Sequence, residues 1–177
     1  MSVTLGQSST PSNTRIYAIG DVHGYIDLLR NLHAEIISDL AKSPVENHKI
    51  VFIGDYIDRG PDSAACTEYL SNLIIDNTNV ICLKGNHEAK LLSFLTDPIS
   101  VADSFFTYGG VETATSYGVD MSDYNATVDE KTLKSNELSK SIPAHHKKFY
   151  LKLPTTVTFG DYMFAHAGIR PGVALDQ

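Results

Sequence analysis

Residues 50–60 read IVFIGDYIDRG, a stretch that predicts both a buried strand and the loop that follows it. The first four residues are apolar, and two glycines, two aspartates and an arginine occur within the next seven. A short apolar run that ends at a glycine is typical of a strand buried on both faces of a parallel sheet. Because α/β sheets bind their ligands at the carboxyl ends of their strands, we expect Asp55, Asp58 and Arg59 at a binding edge.

The same plan occurs in two further segments of the first half of the chain. Residues 16–24 read IYAIGDVHG, and residues 80–88 read VICLKGNHE. Apolar side chains recur at helical spacing in residues 25–41 and 66–74, which predicts a helix in each interval between these segments. The order strand–helix–strand–helix–strand predicts two consecutive βαβ units and a parallel sheet.

Helix boundaries can also be predicted here. Asp62 follows Pro61 and is placed as the cap of the second helix. A third helix is expected over residues 87–96, directly after the third strand. Glu88 lies at the start of that helix, where we expect a structural role rather than catalysis.

The second half of the chain is less regular. Residues 97–118 contain aromatic residues and the pair Gly109-Gly110, which indicates a packed helical segment broken by a glycine turn. Residues 119–142 are polar, and we interpret the whole of 97–153 as a surface excursion or cap over the site. Two apolar runs in residues 155–166 predict a β-hairpin of a second sheet, which ends at HAG, residues 166–168.

Length and composition predict one globular domain over residues 14–177, preceded by a flexible tail over residues 1–13. The formal charge of −7 argues against a general nucleic-acid or membrane-surface binder, which needs a basic footprint. A phosphorylated substrate stays possible, because metal ions can supply positive charge locally. The basic stretch His145-His146-Lys147-Lys148 is interpreted as a solvated helix face.

The cysteines and the apolar runs bear on the compartment. Cys66 and Cys82 have no metal-binding spacing and are expected to be small core residues. The chain starts without the features of a signal peptide, and no apolar run approaches membrane-spanning length. We therefore expect a reducing, cytoplasmic location.

The polar residues that follow the apolar runs are of metal-binding types. Mixed carboxylate, amide and imidazole ligands suit Mn, Fe or Zn better than Ca. Asp55 has two carboxylate oxygens and could bridge two ions, which would hold a phosphoryl group and activate a water. The candidate ligands are Asp21, His23, Asp55, Asn86 and His166.

Other residues have candidate roles around such a centre. Arg59 could clamp phosphate oxygens, His87 could protonate a leaving group, and Asp58 could orient His87. The alternatives are a local ion pair or helix cap for Asp58 and Arg59, and a structural residue at a helix N-terminus for His87. Arg170 could contact phosphate, with a solvated loop arginine as the alternative.

The motifs GDVHG, GDYIDRG, GNHE and HAG, taken together, resemble the phosphoprotein-phosphatase branch of the calcineurin-like metallophosphoesterases. That branch includes Ser/Thr protein phosphatases and symmetrical diadenosine-tetraphosphate hydrolases. The resemblance implies an α/β fold in which helices flank a β-sandwich. It also implies that one metal is held by Asp21, His23 and Asp55, and a second by Asp55, Asn86 and His166, with His87 as general acid, Asp58 as its partner and Arg59 as a phosphate clamp.

The chain departs from the family pattern after HAG. Members of the family continue with a Gly-His-Thr segment that supplies a further ligand of the second metal, and this chain has no such segment. We therefore expect a C-terminally truncated domain. Its uncovered core surface would allow self-association.

Three functions remain open on the sequence. The first is hydrolysis of phosphomonoesters, foremost phospho-Ser/Thr of proteins, by direct attack of a water activated by two divalent ions. Mn²⁺ is expected first, with Fe or Zn as alternatives. The second is hydrolysis of symmetrical dinucleoside tetraphosphates. The third, of another class, is a metal-binding remnant or partner protein without turnover.

Overall fold

The computed structural model describes residues 5–75 and 77–174. Part of the predicted tail, residues 1–4, lies outside the described residues. The later part of that tail contacts the far end of the chain. The backbone N–H of Ser9 donates to Asp161 at 3.0 Å, and the N–H of Asp161 donates back to the Ser9 carbonyl at 3.0 Å.

The predicted parallel sheet is present, with its strands in the order β1-β2-β3. Its register places Ile19 beside Phe52 and Phe52 beside Cys82, so the three strands end at one edge. A second sheet is the predicted antiparallel hairpin, β4-β5. The strands are β1 (Thr14–Ile19), β2 (Asn47–Phe52), β3 (Val80–Cys82), β4 (Thr156–Phe159) and β5 (Tyr162–Ala165).

Seven α-helices occur in the described residues, and they confirm the α/β class. The predicted first helix begins and ends one residue later than expected, and the third begins one residue earlier. Asp62 precedes the second helix as predicted, but its side chain makes no capping hydrogen bond to any residue that the structure describes. The helices are α1 (Ile26–Lys42), α2 (Ser63–Leu73), α3 (Asn86–Thr96), α4 (Pro98–Phe105), α5 (Val111–Ser116), α6 (Val128–Ser141) and α7 (Ala144–Lys152).

The core forms between the parallel sheet and the helices. Ile50, Val51 and Phe52 of β2 are each at most 1% exposed, which confirms a strand buried on both faces. The thiols of Cys66 and Cys82 are also buried, as predicted, and burial raises the pKa of Cys66 to about 12. Among the described residues, none of the helices combines the length and the apolar character that crossing a membrane requires.

The region after α3 is helical and interrupted at a glycine, as predicted. A π-helical segment, Phe106–Gly110, joins α4 to α5, and Gly109 lies within it at a φ of 103°. The polar residues that follow include α6, which packs on α3 and α4. Leu138 of α6 is buried, and the Ser135 hydroxyl donates to the Phe94 carbonyl at 3.0 Å.

The prediction of a solvated face at His145-His146 is wrong for His146. Only 3% of His146 is exposed, and its Nε2 atom lies 2.7 Å from a carboxylate oxygen of Glu68 on α2. The first turn of α7 packs against α2, so the basic sequence neighbours do not indicate where this side chain points.

Candidate metal centre

The loops after β1 and β2 are joined backbone to backbone. The N–H groups of Val22 and His23 both donate to the Asp55 carbonyl at 2.9 Å, and the Gly24 N–H donates to the Tyr56 carbonyl at 2.8 Å. These bonds bring the side chains of His23 and Asp55 to the same edge of the sheet.

Two glycines allow the three loops to approach this closely. A Cβ atom on Gly24 would lie 2.7 Å from the Gly60 carbonyl oxygen, and one on Gly54 would lie 2.6 Å from the Gly85 nitrogen. Both residues also have positive φ, at 71° and 120°. Any other residue at either position would force the loops apart.

Backbone strain is concentrated in the same loops. His23, Asp55, Asp58 and Arg59 have φ values of 46°, 56°, 71° and 67°, in the left-handed region that non-glycine residues rarely adopt. Such strain persists only where surrounding structure imposes it, and it clusters at active and ligand-binding sites.

Glu88 holds two of the loops in place. Its buried carboxylate accepts hydrogen bonds from the N–H groups of Asp55 at 3.0 Å, Tyr56 at 2.7 Å and Gly85 at 2.8 Å. Burial raises the pKa of Glu88 to about 7. Because its partners are backbone groups of the loops after β2 and β3, its contacts match the structural role expected from the sequence.

Asp55 lies at the centre of the side-chain cluster. Its Oδ2 atom is 3.1 Å from His166 Nε2, 3.7 Å from His87 Nε2 and 3.9 Å from His23 Nε2. Asp55 is 3% exposed, so three imidazole nitrogens converge on one buried carboxylate.

Two further side chains complete the cluster on its exposed side. The Asp21 carboxylate lies 3.5 Å from His23 Nε2, and the Asn86 amide oxygen lies 2.8 Å from His166 Nε2. Two groups of potential ligands share Asp55, one with His23 and His87 and the other with Asp21 and His166, and within each group the ligand atoms lie within 4.8 Å of one another. The structure thus brings together all five candidate ligands, namely Asp21, His23, Asp55, Asn86 and His166.

His23 shows that these residues fit a cation. Its Nδ1 atom lies 2.8 Å from the Ile57 carbonyl, which can only accept a hydrogen bond, so the neutral ring has its proton on Nδ1 and a lone pair on Nε2. This Nε2 atom is buried, has no hydrogen-bond partner among the described residues, and faces the carboxylates of Asp21 and Asp55. A lone pair turned towards two carboxylates is compensated when a positive ion lies between them.

His87 and Asp58 form a buried pair beside the ligands. His87 Nδ1 lies 2.6 Å from Asp58 Oδ2, and the side chains are 3% and 0% exposed. The hydrogen bond to Asp58 raises the pKa of His87, while burial and the nearby Arg59 oppose that rise. The other ring nitrogen of His87 points towards Asp55, so it can hold a proton at the edge of the cluster.

Thr113 and Ser63 hold Asp58, and the sequence did not single them out. The Thr113 hydroxyl donates to Asp58 Oδ1 at 2.6 Å, and it lies 2.9 Å from the Ser63 hydroxyl. The Asp58 N–H points at both hydroxyl oxygens, at 2.9 and 3.0 Å. The one available signal was the glycine pair at 109–110, because it precedes α5 and brings that helix against the Asp58 loop.

The two arginines lie at the rim of the centre. Arg59 is exposed, and its backbone N–H donates to the Gly109 carbonyl at 3.2 Å. Arg170 is exposed and lines a groove of about 580 Å³ together with Asn86 and His166. In the described part of the chain, neither guanidinium makes a hydrogen bond or ion pair, so both can meet an anion.

Comparison with known proteins decides the family. Residues 14–174 match the model of the calcineurin-like phosphoesterases. The chain belongs to this calcineurin-like family. The motif loops described above therefore lie in a phosphoesterase fold, and the cluster around Asp55 lies at the edge where its motifs meet.

Relatives of this chain differ in the activity for which they are named. The chain is 30% identical over 159 residues to a serine/threonine-protein phosphatase 2B catalytic subunit of Saccharomyces cerevisiae, covering 88% of this chain and 20% of that protein. It is 38% identical over 80 residues to an asymmetrical bis(5'-nucleosyl)-tetraphosphatase of Bacillus cereus, covering 43% of this chain and 32% of that protein. The chain thus spans a third or less of the length of these two relatives.

The fold agrees with a solved structure. A protein described as a candidate diadenosine tetraphosphatase superposes with a TM-score of 0.58 at 22% identity, covering 96% of this chain and 57% of that one. At this identity the likeness concerns the fold alone.

Proposed function

We propose that this chain is a phosphatase that hydrolyses phosphomonoesters, foremost phospho-Ser/Thr of proteins, with two divalent metal ions, Mn²⁺ first. The observation that carries the proposal is the buried Asp55 carboxylate shared by two groups of potential ligands. The orphaned Nε2 atom of His23, turned towards two carboxylates, adds support that is independent of any motif.

The five candidate ligands would divide between two sites that share Asp55. Asp21, His23 and Asp55 would hold one ion, and Asp55, Asn86 and His166 the other. Bound ions supply Lewis acidity to a phosphoryl oxygen and lower the pKa of a water.

The remaining residues handle the substrate and the proton. Arg59 and Arg170, both exposed at the rim, would bind phosphate oxygens. His87 would donate a proton from Nε2 to the leaving oxygen, because Asp58 holds its Nδ1–H and favours the protonated ring. Asp58 and Thr113 would keep the imidazole in that orientation.

A second candidate activity is symmetrical hydrolysis of dinucleoside tetraphosphates. The substrate class is supported by the Bacillus cereus relative, which is named as an asymmetrical bis(5'-nucleosyl)-tetraphosphatase. The same centre can serve both reactions, since each breaks a bond between phosphorus and oxygen. The third candidate, a metal-binding protein without turnover, shares the ligands and differs only in lacking catalysis.

A substrate panel separates the three candidates. We expect the chain with added Mn²⁺ to release phosphate from an aryl phosphate and a phosphoserine peptide, and to lose this activity with a chelator. Higher kcat/KM on diadenosine tetraphosphate than on the peptide would favour the second candidate. No turnover on any of them, by a protein that binds Mn²⁺ in a metal assay, would favour the third.

The contact of Thr113 with Asp58 predicts that loss of the Thr113 hydroxyl lowers turnover moderately. Thr113→Val removes the hydroxyl that donates to Asp58 Oδ1 and leaves the carboxylate free to turn away from His87. We expect kcat on the phosphopeptide to fall by about 10-fold, roughly the lower limit seen when a group that orients a functional residue is removed. KM and metal content should change little.

Two comparisons test whether Thr113 acts through the hydrogen-bonded pair of Asp58 and His87. Thr113→Ser keeps the hydroxyl and should restore most of the activity. The Thr113→Val loss should also be smaller on an aryl phosphate, whose leaving group needs little protonation. An equal loss on both substrates, unrelieved in the serine variant, would show that Thr113 matters only for folding.

A further inference from the structure

Two imidazoles and a carboxylate converge at a second place, between α2 and α7. The Nε2 atoms of His145 and His146 both lie 2.7 Å from Glu68 Oε2. The other oxygen of Glu68 accepts a hydrogen bond from the Asn72 amide at 2.8 Å, which holds the carboxylate in place. None of these residues belongs to the centre around Asp55.

A chain of hydroxyl groups connects the Nδ1 atom of His146 to a backbone carbonyl. The chain runs from His146 Nδ1 to the Tyr117 hydroxyl at 2.9 Å, then to Tyr150 at 2.9 Å and to Thr67 at 2.6 Å. It ends where the Thr67 hydroxyl donates to the Ser63 carbonyl at 2.9 Å. A carbonyl can only accept, so when each hydroxyl donates towards it, His146 donates from Nδ1 and its Nε2 atom is free to bind a cation.

The Nε2 atom of His146 therefore has a place for a positive ion beside it. It lies 2.7 Å from Glu68 Oε2, so an ion that replaces the proton between them would be bound by both. The side chain of His146 is 4% exposed, so the surrounding structure fixes its position.

We propose that Glu68, His145 and His146 form a zinc-binding site, separate from the phosphatase centre. Two imidazoles and one carboxylate, with a fourth position open to water, are a ligand set that Zn²⁺ accepts in proteins. The Tyr117 hydroxyl at the far nitrogen of His146 matches the hydrogen bond that metal-ligating histidines make through their other ring nitrogen.

The cluster can open enough to admit the ion. Zinc–ligand bonds of about 2.0–2.2 Å place neighbouring ligand atoms roughly 3.3 Å apart, so the 2.7 Å separations must lengthen. The side chains of His145 and Glu68 are 55% and 51% exposed and are free to move by this amount. His146 stays in place as the buried ligand.

Calorimetric titration with Zn²⁺ tests this site in the full chain. The protein used carries Asp55→Asn, which weakens metal binding at the centre around Asp55. We expect one zinc equivalent to remain in that protein. Adding His145→Ala or Glu68→Gln should weaken this binding by at least about 100-fold, since loss of a direct ligand exceeds the 10–100-fold effect of an outer partner. Both side chains are half exposed, so these variants should fold, which circular dichroism can verify.

Lys148→Ala is the matched control, because Lys148 is an exposed residue of α7 next to the cluster. It should leave the zinc equivalent unchanged, and Co²⁺ bound in place of Zn²⁺ should show the visible absorption of a four-coordinate site. Titrations that are the same with and without His145→Ala, or no zinc bound by the Asp55→Asn protein, would overturn the proposal. The readout is metal binding, so it stands apart from any result on phosphatase activity.

Discussion

Replacing Asp55 by Asn should lower the occupancy of both ions and reduce turnover by about 10³-fold or more. Asp55 Oδ1 accepts a hydrogen bond from the His87 N–H at 3.1 Å, and Oδ2 faces the three imidazoles. Asparagine would keep its oxygen on the N–H and turn its NH₂ group towards the ligands. A donor would then replace a negative charge at the shared position, and loss of several kcal/mol of electrostatic stabilisation corresponds to this rate effect.

His23→Ala is the informative comparison for Asp55→Asn. His23 Nε2 faces Asp21 and Asp55 and has no contact with the Asn86–His166 pair, so its loss should empty mainly one site. Metal analysis of the two purified variants measures this difference. Asp123→Asn, on an exposed loop residue, controls for the chemistry of the substitution and should retain both ions. If Asp55→Asn and His23→Ala each lose one and the same ion, Asp55 does not bridge.

Replacing His87 by Ala should leave metal content nearly intact and reduce turnover by about 10²–10⁴-fold, the usual size of a general-acid contribution. We expect this because of the orientation of the His87 ring. Its Nδ1 atom is hydrogen-bonded to Asp58, and its Nε2 atom faces the cluster around Asp55. The loss should shrink on substrates with good leaving groups, such as aryl phosphates, and be largest on a phosphoserine peptide. Steady-state kinetics on both substrates, with metal content measured on the same samples, checks it.

The result expected for His87→Ala has one specific alternative, in which His87 is a metal ligand. His87, His23 and Asp55 also form one of the groups that could hold an ion, because His87 Nε2 is 3.7 Å from Asp55 Oδ2. If His87→Ala strips metal from the protein, His87 is a ligand and its role as acid is wrong. His87→Gln fills more of the buried space and separates a packing defect from either role. Asp58→Asn should behave as a weaker form of the same change, since it loosens the ring without removing it.

The parts of the fold that the sequence predicted well are those in which neighbours along the chain decide the structure. Residues 50–53 are apolar without alternation, and such a run suits a strand covered on both faces. Helical spacing in residues 25–41 gave the first helix to within one residue at each end. Asp21, His23, Asp55 and Asn86 came together because carboxyl ends of parallel strands meet at one edge, whereas His166 reaches them from the end of the antiparallel hairpin.

Contacts between distant polar residues could not be predicted in this way. Thr113 lies 55 residues from Asp58, and its hydroxyl is one of many in a polar part of the chain. His146 lies 78 residues from Glu68, and its basic neighbours indicated solvent. Periodicity identifies which face of a helix is apolar, but it does not say which polar group lies across from it.

The sequence by itself determined the α/β class, the order of strands and helices, the family motifs and the ligand types at the strand ends, because each depends on local pattern. The tertiary structure alone decided which hydrogen-bond partners each histidine has. His23 Nδ1 faces the Ile57 carbonyl, and His146 Nδ1 faces a chain of hydroxyls that ends on the Ser63 carbonyl. Proton positions depend on hydrogen-bond partners brought together by folding, and those partners are far apart in the sequence.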